Sequence, residues 1–191
     1  MADRAPDGMR VVPEGLPDWT PVDRPRRITV VCTGNICRSP MGEVILRDLL
    51  ADAGLGDEVV VDSAGTTRWE LGNRMDPRAR AELKRRGYDG SAHSARDFDP
   101  RWFGGTDLVL AADVGHASVL RRWARTPEDA AKVQLMRAFD PAAVTAGTLE
   151  VDDPWYGDED DFVRCFTEVE ASCRGVAAWV VDQLRSERLG D

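Results

Sequence analysis

The sequence predicts an α/β protein: a single domain in which a four-stranded parallel sheet lies between two layers of helices. Three observations support this class. Short apolar runs rich in β-branched residues recur along the chain, and each is followed by a segment of helical or helix-capping pattern. Such alternation is typical of parallel strands joined by right-handed crossovers, with helices on both faces. The length of 191 residues suits one domain with a substantial core.

The individual elements follow from this alternation. Residues 1–26 are rich in proline and acidic residues and lack apolar periodicity, which predicts a flexible N-terminal extension before a domain at 27–191. Trp19 could dock on that domain, but a solvated extension is the simpler prediction. Strands are expected at 28–31, 59–61, 107–111 and 133–136, and helices at 44–53, from 77 to Gly87, after Asp113, at 126–129 and at 162–184. No clear element is predicted for 137–157, and a loop of this length is usually functional.

Composition narrows the class of partner. The formal net charge of −9 argues against nucleic acid or an anionic membrane as the main partner. No apolar run approaches the roughly 18 residues of a membrane span, and the N-terminus lacks a signal-peptide core. Four cysteines without a secretory signal indicate reduced thiols and a cytoplasmic location, with export by another route left open.

The most informative segment joins the first strand to the first helix and reads CTGNICRSP at 32–40. Gly34 and Asn35 are the residue types that accept a positive φ. Ser39 and Pro40 are preferred at a helix N-cap and first helical position. A strand, a tight loop and a helix start therefore meet, and their backbone N–H groups point at one spot. This geometry predicts an anion-binding cradle with Cys32 at its entrance.

Cysteine and arginine in such a cradle indicate phosphoryl chemistry. The helix N-terminus and a nearby cation favour the thiolate form of Cys32, which can attack phosphorus. Arg38 presents a planar fork that can bind two phosphoryl oxygens, whereas lysine offers a point charge. The hydroxyl of Ser39 could stabilise the thiolate, serve as a plain N-cap, or do both. Asn35 could lock the loop, for example through Ser63 after the second strand. Besides Cys32 and Arg38, the loop that forms the cradle consists of Thr33, Gly34, Asn35, Ile36, Cys37 and Ser39.

Transfer from an aryl ester also needs an acid for the leaving oxygen. The stretch VDDPWYG at 151–157 offers Asp153 and Asp152, and the residues alone leave the choice between them even. Trp155 and Tyr156 could form a wall around an aromatic substrate. The alternative is an acidic surface turn with Trp155 packed into the core.

The other chemically active residues carry weaker signals. His93 and His116 have no acidic or cysteine neighbour at a useful spacing, so structural or exposed roles are expected. The cysteine spacing does not fit a zinc site, and Cys165 and Cys173 are expected in the core. Cys37 could resolve an oxidised Cys32 as a disulfide, or it could be a small buried side chain that supports the loop.

The loop string resembles the signature of the bacterial low-molecular-weight protein tyrosine phosphatases. The resemblance extends to VDSAGT at 61–66, to Trp69 with Gly72, to DPRA at 76–79 and to DPWYG at 153–157. It implies a four-stranded parallel sheet flanked by helices. It also implies hydrolysis of phosphotyrosine in proteins, with inorganic phosphate as product and inhibitor, and no metal or cofactor.

The same resemblance implies roles for individual residues. Cys32 would form a phosphocysteine intermediate and Arg38 would bind the phosphate. Asp153, directly before proline, would be the general acid and then activate water, which decides against Asp152. Asn35, Ser39 and Ser63 would form a network that holds the loop. Trp69, Trp155 and Tyr156 would line a cleft for the substrate. Trp155 stands where the family commonly has tyrosine.

Three other functions fit parts of this pattern. An arsenate reductase on the same fold needs two further relay cysteines, yet no cysteine lies between Cys37 and Cys165. A phosphoarginine phosphatase tends to carry threonine at the position of Ile36. A non-catalytic phosphate-binding module would keep the cradle but lose Cys32 or the acid, and both are present.

Overall fold

The computed structural model describes residues 13–17 and 19–189. In this part of the chain, four parallel strands form one sheet in the order β2-β1-β3-β4. The strands are β1 (Arg26–Cys32), β2 (Val59–Gly65), β3 (Leu108–Ala111) and β4 (Val133–Leu135). The helices are α1 (Arg38–Asp52), α2 (Pro77–Arg85), α3 (Val114–Trp123), α4 (Pro127–Ala131), α5 (Pro141–Ala146) and α6 (Glu159–Leu189). The α/β class and the parallel sheet are confirmed.

The strands bury both of their faces, which produces the three layers. Ile28 and Leu110 point into a core that also contains side chains of α1, α2 and α6. Val31 and Val109 point the other way, into a core shared with Phe103 and α3. Successive strand residues face opposite sides of a sheet, so consecutive apolar residues such as Val30 and Val31 fill both cores. Each fully buried large side chain contributes about 1.5–3 kcal/mol to folding.

The order of the strands determines where a ligand can bind. The chain leaves β1 toward β2 on one side and later returns to β3 on the other side of β1. The sheet therefore has its topological switch point at the carboxyl ends of β1 and β3, where ligands bind in open α/β sheets. Cys32 is the last residue of β1, and Asp113 follows β3 at the start of α3. The cradle predicted from the sequence lies at this point.

The stretch 137–157 is more structured than expected. It contains α5 and two turns of 3₁₀ helix, Met136–Phe139 and Pro154–Tyr156. Asp140 caps α5 by accepting a hydrogen bond from the backbone N–H of Ala142, and Gly147 ends the helix at φ 70°. These are ordinary helix start and stop signals. The prediction of no clear element was wrong because six residues are too few to show apolar periodicity. A 3₁₀ helix at Pro100–Gly105 was also not predicted.

Trp19 departs from the predicted solvated extension. Only 9% of the residue is exposed, and its ring lies 4.7 Å from that of Trp179 on α6 in an edge-to-face arrangement. The guanidinium of Arg26 lies over the Trp19 ring at 4.7 Å and also pairs with Glu187. The extension is therefore anchored to α6 at this residue, because burial of a large ring outweighs the polar composition around it. Residues 1–12 of the predicted extension lie outside the described residues.

None of the described helices is both long and apolar enough to span a membrane.

Candidate active site

The loop after β1 turns its carbonyl groups outward. The carbonyl oxygens of Thr33, Asn35 and Ile36 accept hydrogen bonds from Thr67, His93 and the backbone N–H of Asp76, respectively. In a trans peptide the C=O and the following N–H point in opposite directions. The N–H groups that follow these carbonyls therefore point into the loop, which forms the predicted anion cradle.

Asn35 holds the loop in shape from its centre. It has φ 59° and is fully buried. Its Nδ2 donates to Ser39 Oγ at 2.9 Å and to Ser63 Oγ at 2.8 Å, and its Oδ1 accepts from the backbone N–H of Arg96 at 2.9 Å. A left-handed conformation is unfavourable for most residues, and here these hydrogen bonds stabilise it.

A second tight fit supports the same loop. Cys32 pairs with Gly65 across β1 and β2. A Cβ atom on Gly65 would lie 2.6 Å from the carbonyl oxygen of Thr33. Only glycine allows the two backbones to approach this closely.

Helix α1 begins two residues earlier than an N-cap at Ser39 would place it. Arg38 is its first residue, and Cys37 is an N-cap without a side-chain hydrogen bond. The prediction of Ser39 as N-cap was therefore wrong. Its Oγ lies 3.0 Å from Cys32 Sγ and donates to the carbonyl of Ala64 at 3.3 Å. The hydroxyl contacts the predicted nucleophile because it is not engaged by the helix.

The four cysteines are free thiols. Cys32 lines the cavity above the loop, and so does Cys37. Burial raises the pKa of Cys37 well above that of a free thiol, and nearby Asp76 adds to the effect. Burial likewise raises the pKa of Cys165 and Cys173. Burial therefore favours the neutral thiol form of these three side chains.

Arg38 is buried and its guanidinium makes several polar contacts. Nη1 donates to Asp113 Oδ2 at 3.0 Å and to the carbonyl of Val151 at 3.2 Å. Nη2 donates to Asp153 Oδ2 at 2.7 Å and lies 3.5 Å from Thr33 Oγ1. These contacts orient the planar fork toward the cavity that Arg38 lines.

The structure distinguishes the two candidate acids. Asp153 lines the cavity and caps the turn Pro154–Tyr156, with Oδ1 accepting from the backbone N–H of Trp155 at 3.2 Å. The exposed Asp152 lies instead in a separate groove with Glu168, whose Oε2 accepts from its backbone N–H. Proline after Asp153 starts the turn and directs these consecutive side chains to different sites.

Aromatic side chains surround the mouth of the cavity. Trp69 is 81% exposed, Tyr156 95% and Trp155 40%. Trp155 is therefore not packed into the core, which excludes the alternative of a plain surface turn anchored by it. Glu70, which sequence reasoning missed, also lines the cavity, and its side chain lies beside Gly34 of the loop. The predicted residues that line the cavity are Cys32, Thr33, Gly34, Ile36, Cys37, Arg38, Trp69, Asp153, Trp155 and Tyr156.

Known proteins are similar to this chain in sequence and in fold. The model of the protein family described as "Low molecular weight phosphotyrosine protein phosphatase" matches residues 27–188. The chain belongs to this family. It is 51% identical over 158 residues to the "Low molecular weight protein-tyrosine-phosphatase" of Streptomyces coelicolor, an alignment that covers 83% of this chain and 95% of the relative.

More distant members agree with this result. The "Low molecular weight protein-tyrosine phosphatase A" of Mycobacterium tuberculosis is 41% identical over 160 residues, with 84% of this chain and 94% of the relative covered. Among solved structures, a protein tyrosine phosphatase from Entamoeba histolytica with Hepes in its active site superposes with a TM-score of 0.75 at 29% identity. That superposition covers 85% of this chain and 99% of the other. Members of the family are cysteine-dependent phosphatases, so this chain is an enzyme of that class.

The two histidines of this phosphatase are closer to the site than the sequence indicated. His93 Nε2 lies 2.7 Å from the carbonyl oxygen of Asn35, and Nδ1 lies 3.7 Å from Glu43. Glu43 accepts a hydrogen bond of 2.5 Å from Ser63 Oγ. The expectation that His93 has no acidic neighbour was wrong because Glu43 is distant in sequence and near in space.

His116 belongs to the first turn of α3 and lies 2.8 Å from Thr33 Oγ1 through its Nε2. Its Nδ1 lies 2.9 Å from Asp113 Oδ1, off the line of a good hydrogen bond. Burial by itself would raise the pKa of Asp113, but contacts with the side chain and backbone of His116 and the charge of Arg38 lower it to about 2. Asp113, three residues before His116, is an acidic neighbour, so the expectation that His116 has none at a useful spacing was wrong.

Among the described residues, no group of three His, Cys, Asp or Glu side chains is placed to hold a metal ion.

Proposed function

We propose that this enzyme is a protein-tyrosine phosphatase that hydrolyses phosphotyrosine through a phosphocysteine intermediate on Cys32. One observation carries the proposal. The thiol of Cys32, the guanidinium of Arg38 and the carboxyl of Asp153 line a single cavity with aromatic side chains at its mouth. We assign the catalytic unit to residues 27–191, with residues 1–26 as an extension.

In the first step the phosphoryl group moves from tyrosine to sulfur. The thiolate of Cys32 attacks phosphorus, the bond from phosphorus to the phenolic oxygen breaks, and Asp153 gives its proton to that oxygen. Arg38 and the N–H groups of the loop bind the equatorial oxygens, where charge is greatest in the transition state. The phosphoryl oxygens compete with Asp153 for Nη2 of Arg38, so substrate binding releases the carboxylate from this ion pair. The released group takes a proton from water and, as a carboxylic acid, delivers it to the leaving oxygen.

In the second step water releases the phosphate. Asp153, now a carboxylate, takes a proton from the attacking water, the bond from phosphorus to sulfur breaks, and inorganic phosphate leaves. The sulfur departs as a thiolate, and the hydroxyl of Ser39 at 3.0 Å can donate a hydrogen bond to it. Asn35 donates to Ser39 and does not take this proton, so the hydroxyl can turn from the carbonyl of Ala64, its acceptor at 3.3 Å, to the sulfur.

The aromatic mouth supports phosphotyrosine as the substrate class. Trp69, Trp155 and Tyr156 expose ring faces and edges on which a phenyl ring can pack. The relatives that match this chain carry the words "protein-tyrosine-phosphatase" in their names, which agrees with this substrate. Inorganic phosphate is expected to bind as product and inhibitor.

A panel of substrates and one variant test the proposal. Peptides that carry phosphotyrosine, phosphoserine or phosphoarginine are compared by release of inorganic phosphate, and only phosphotyrosine is expected to turn over rapidly. Cys32→Ser should abolish turnover yet still bind phosphate in calorimetry. Cys173→Ala, which removes a thiol outside the cavity, is the matched control and should retain turnover. Turnover by Cys32→Ser would overturn the mechanism, and a preference for phosphoarginine would overturn the substrate.

A further inference from the structure

The pair formed by His116 and Thr33 has no part in the mechanism above. Nε2 of His116 lies 2.8 Å from Oγ1 of Thr33, and the histidine is only 6% exposed. Thr33 directly follows Cys32 and lines the cavity. A buried histidine therefore contacts the wall of the cradle from behind.

This pair belongs to a closed ring of polar contacts around the guanidinium of Arg38. Nη1 donates to Asp113 Oδ2 at 3.0 Å, and Asp113 Oδ1 lies 2.9 Å from Nδ1 of His116. From Nε2 the ring passes to Thr33 Oγ1, which lies 3.5 Å from Nη2 of Arg38. The ring thus contacts both terminal nitrogens of the fork.

The chemistry of the groups gives this ring a direction. The carboxylate of Asp113 favours the tautomer of His116 with hydrogen on Nδ1. Nε2 then accepts a hydrogen bond from the hydroxyl of Thr33, and a lone pair of Oγ1 can accept from Nη2 of Arg38. The hydroxyl of Thr33 and both terminal nitrogens of Arg38 then have acceptors, while Nδ1 of His116 lies 2.9 Å from Asp113 Oδ1 but off the line of a good hydrogen bond.

We propose that His116 is a positioning residue that acts through Thr33 and Asp113 to fix the plane of the Arg38 guanidinium for transition-state binding. In the structure Nη2 is held mainly by Asp153 at 2.7 Å. When a phosphoryl group takes the place of Asp153 in this contact, Asp113 and Thr33 keep the fork in plane, and His116 holds both. The proposal rests on the proposed phosphatase function.

The test compares variants of His116 and Thr33 in the full-length protein. His116→Ala should lower kcat for an aryl phosphate about tenfold with little change in KM, because a misplaced clamp binds the transition state less well. His116→Gln should recover most of this loss, since its amide oxygen can accept from Thr33. Thr33→Val should reproduce the loss, and the double variant should be no worse than either single one. Arg121→Ala removes a different hydrogen bond of α3, to the carbonyl of Val133, and should leave kcat unchanged.

Calorimetry separates this proposal from the proposed function. Orthovanadate adopts a transition-state-like geometry, so its affinity should fall about tenfold in His116→Ala, against about threefold for inorganic phosphate. This measurement needs no turnover and decides the role of His116 even if phosphotyrosine is not a substrate. Unchanged vanadate affinity, or additive losses in the double variant, would overturn the proposal. If His116→Ala does not fold, equal kcat in Thr33→Val and Thr33→Ser would overturn it, because only serine keeps the hydroxyl.

Discussion

Nη2 of Arg38 donates a hydrogen bond of 2.7 Å to Oδ2 of Asp153, so the proposed phosphate clamp and the proposed acid contact each other directly. A phosphoryl oxygen that binds Arg38 must compete with this carboxylate. The two side chains come from the start of α1 and from the turn Pro154–Tyr156. Binding at the cradle and release of the acid are therefore coupled through one N–H group.

Asp153→Asn should lower kcat by about 10²–10³-fold for aryl phosphates with poor leaving groups, because proton transfer to the leaving oxygen is lost. The loss should be much smaller for good leaving groups. Asp152→Asn is the matched control, since it removes the neighbouring carboxylate outside the cavity. Steady-state kinetics on a series of phenols measure both effects. Equal losses in the two variants would contradict the assignment of the acid.

Arg38→Lys should weaken phosphate binding and lower kcat by about 10²-fold or more. A lysine keeps the charge but cannot bind two oxygens in one plane or hold Asp113 and Asp153 together. Calorimetry with phosphate and turnover of an aryl phosphate measure the two effects. A variant with wild-type kcat would show that charge alone suffices.

Asn35→Ala should destabilise the protein by about 2–3 kcal/mol, because it removes several buried hydrogen bonds and places alanine at φ 59°. Asn35→Gly loses the same hydrogen bonds but accepts the positive φ, so it should be the milder variant. Urea unfolding measures both. If glycine were as costly as alanine, backbone strain would have no part in the effect.

Stability at acid pH should depend on Asp113. Its pKa is lowered to about 2 in the folded state from 3.8, so the carboxylate is favoured by folding. The stability that it contributes is present above about pH 3.8 and is lost as the pH falls toward 2. Asp113→Asn should therefore lower the free energy of unfolding at pH 6 and lose less of it between pH 4 and pH 2 than the wild type. Parallel pH profiles for the two proteins would contradict this prediction.

Trp19→Ala should lower the free energy of unfolding by about 3 kcal/mol, since it removes the contacts with Trp179 and Arg26. Trp19→Phe should cost much less, because the indole Nε1 has no hydrogen-bond partner to lose. Both variants should keep the wild-type kcat, because Trp19 does not line the cavity. Urea unfolding with a kinetic control tests this. An unfolding energy unchanged in Trp19→Ala would show that the anchor is not needed for stability.

Local patterns were enough to predict much of this molecule. Apolar runs, Asn35 with its positive φ, and the proline after Asp153 each specify backbone geometry over a few residues, and the sheet and the cradle follow from them. Gly34 does not adopt the positive φ that its residue type allows. The resemblance to a known family then assigned Asp153 rather than Asp152, a choice that the residues alone had left open. The cavity lining agrees with that assignment.

Contacts between residues distant in sequence could not be predicted in the same way. Glu43 lies beside His93, and Trp19 packs on Trp179, yet no periodicity connects either pair. Ser39 shows that residue type alone does not identify the N-cap of a helix. It has the right residue type for an N-cap, but tertiary contacts with Cys32 and Asn35 use its hydroxyl instead.

The bonds of Asn35 also bear on the thermodynamics of anion binding. Its side chain and backbone tie the cradle to β2, α1 and the segment around Arg96, so the loop is ordered when the protein folds. Binding of an oxyanion then requires little further loss of backbone conformational entropy. Affinity for a small, strongly hydrated anion can therefore come from a few well-aligned N–H groups, without closure of a lid over the site.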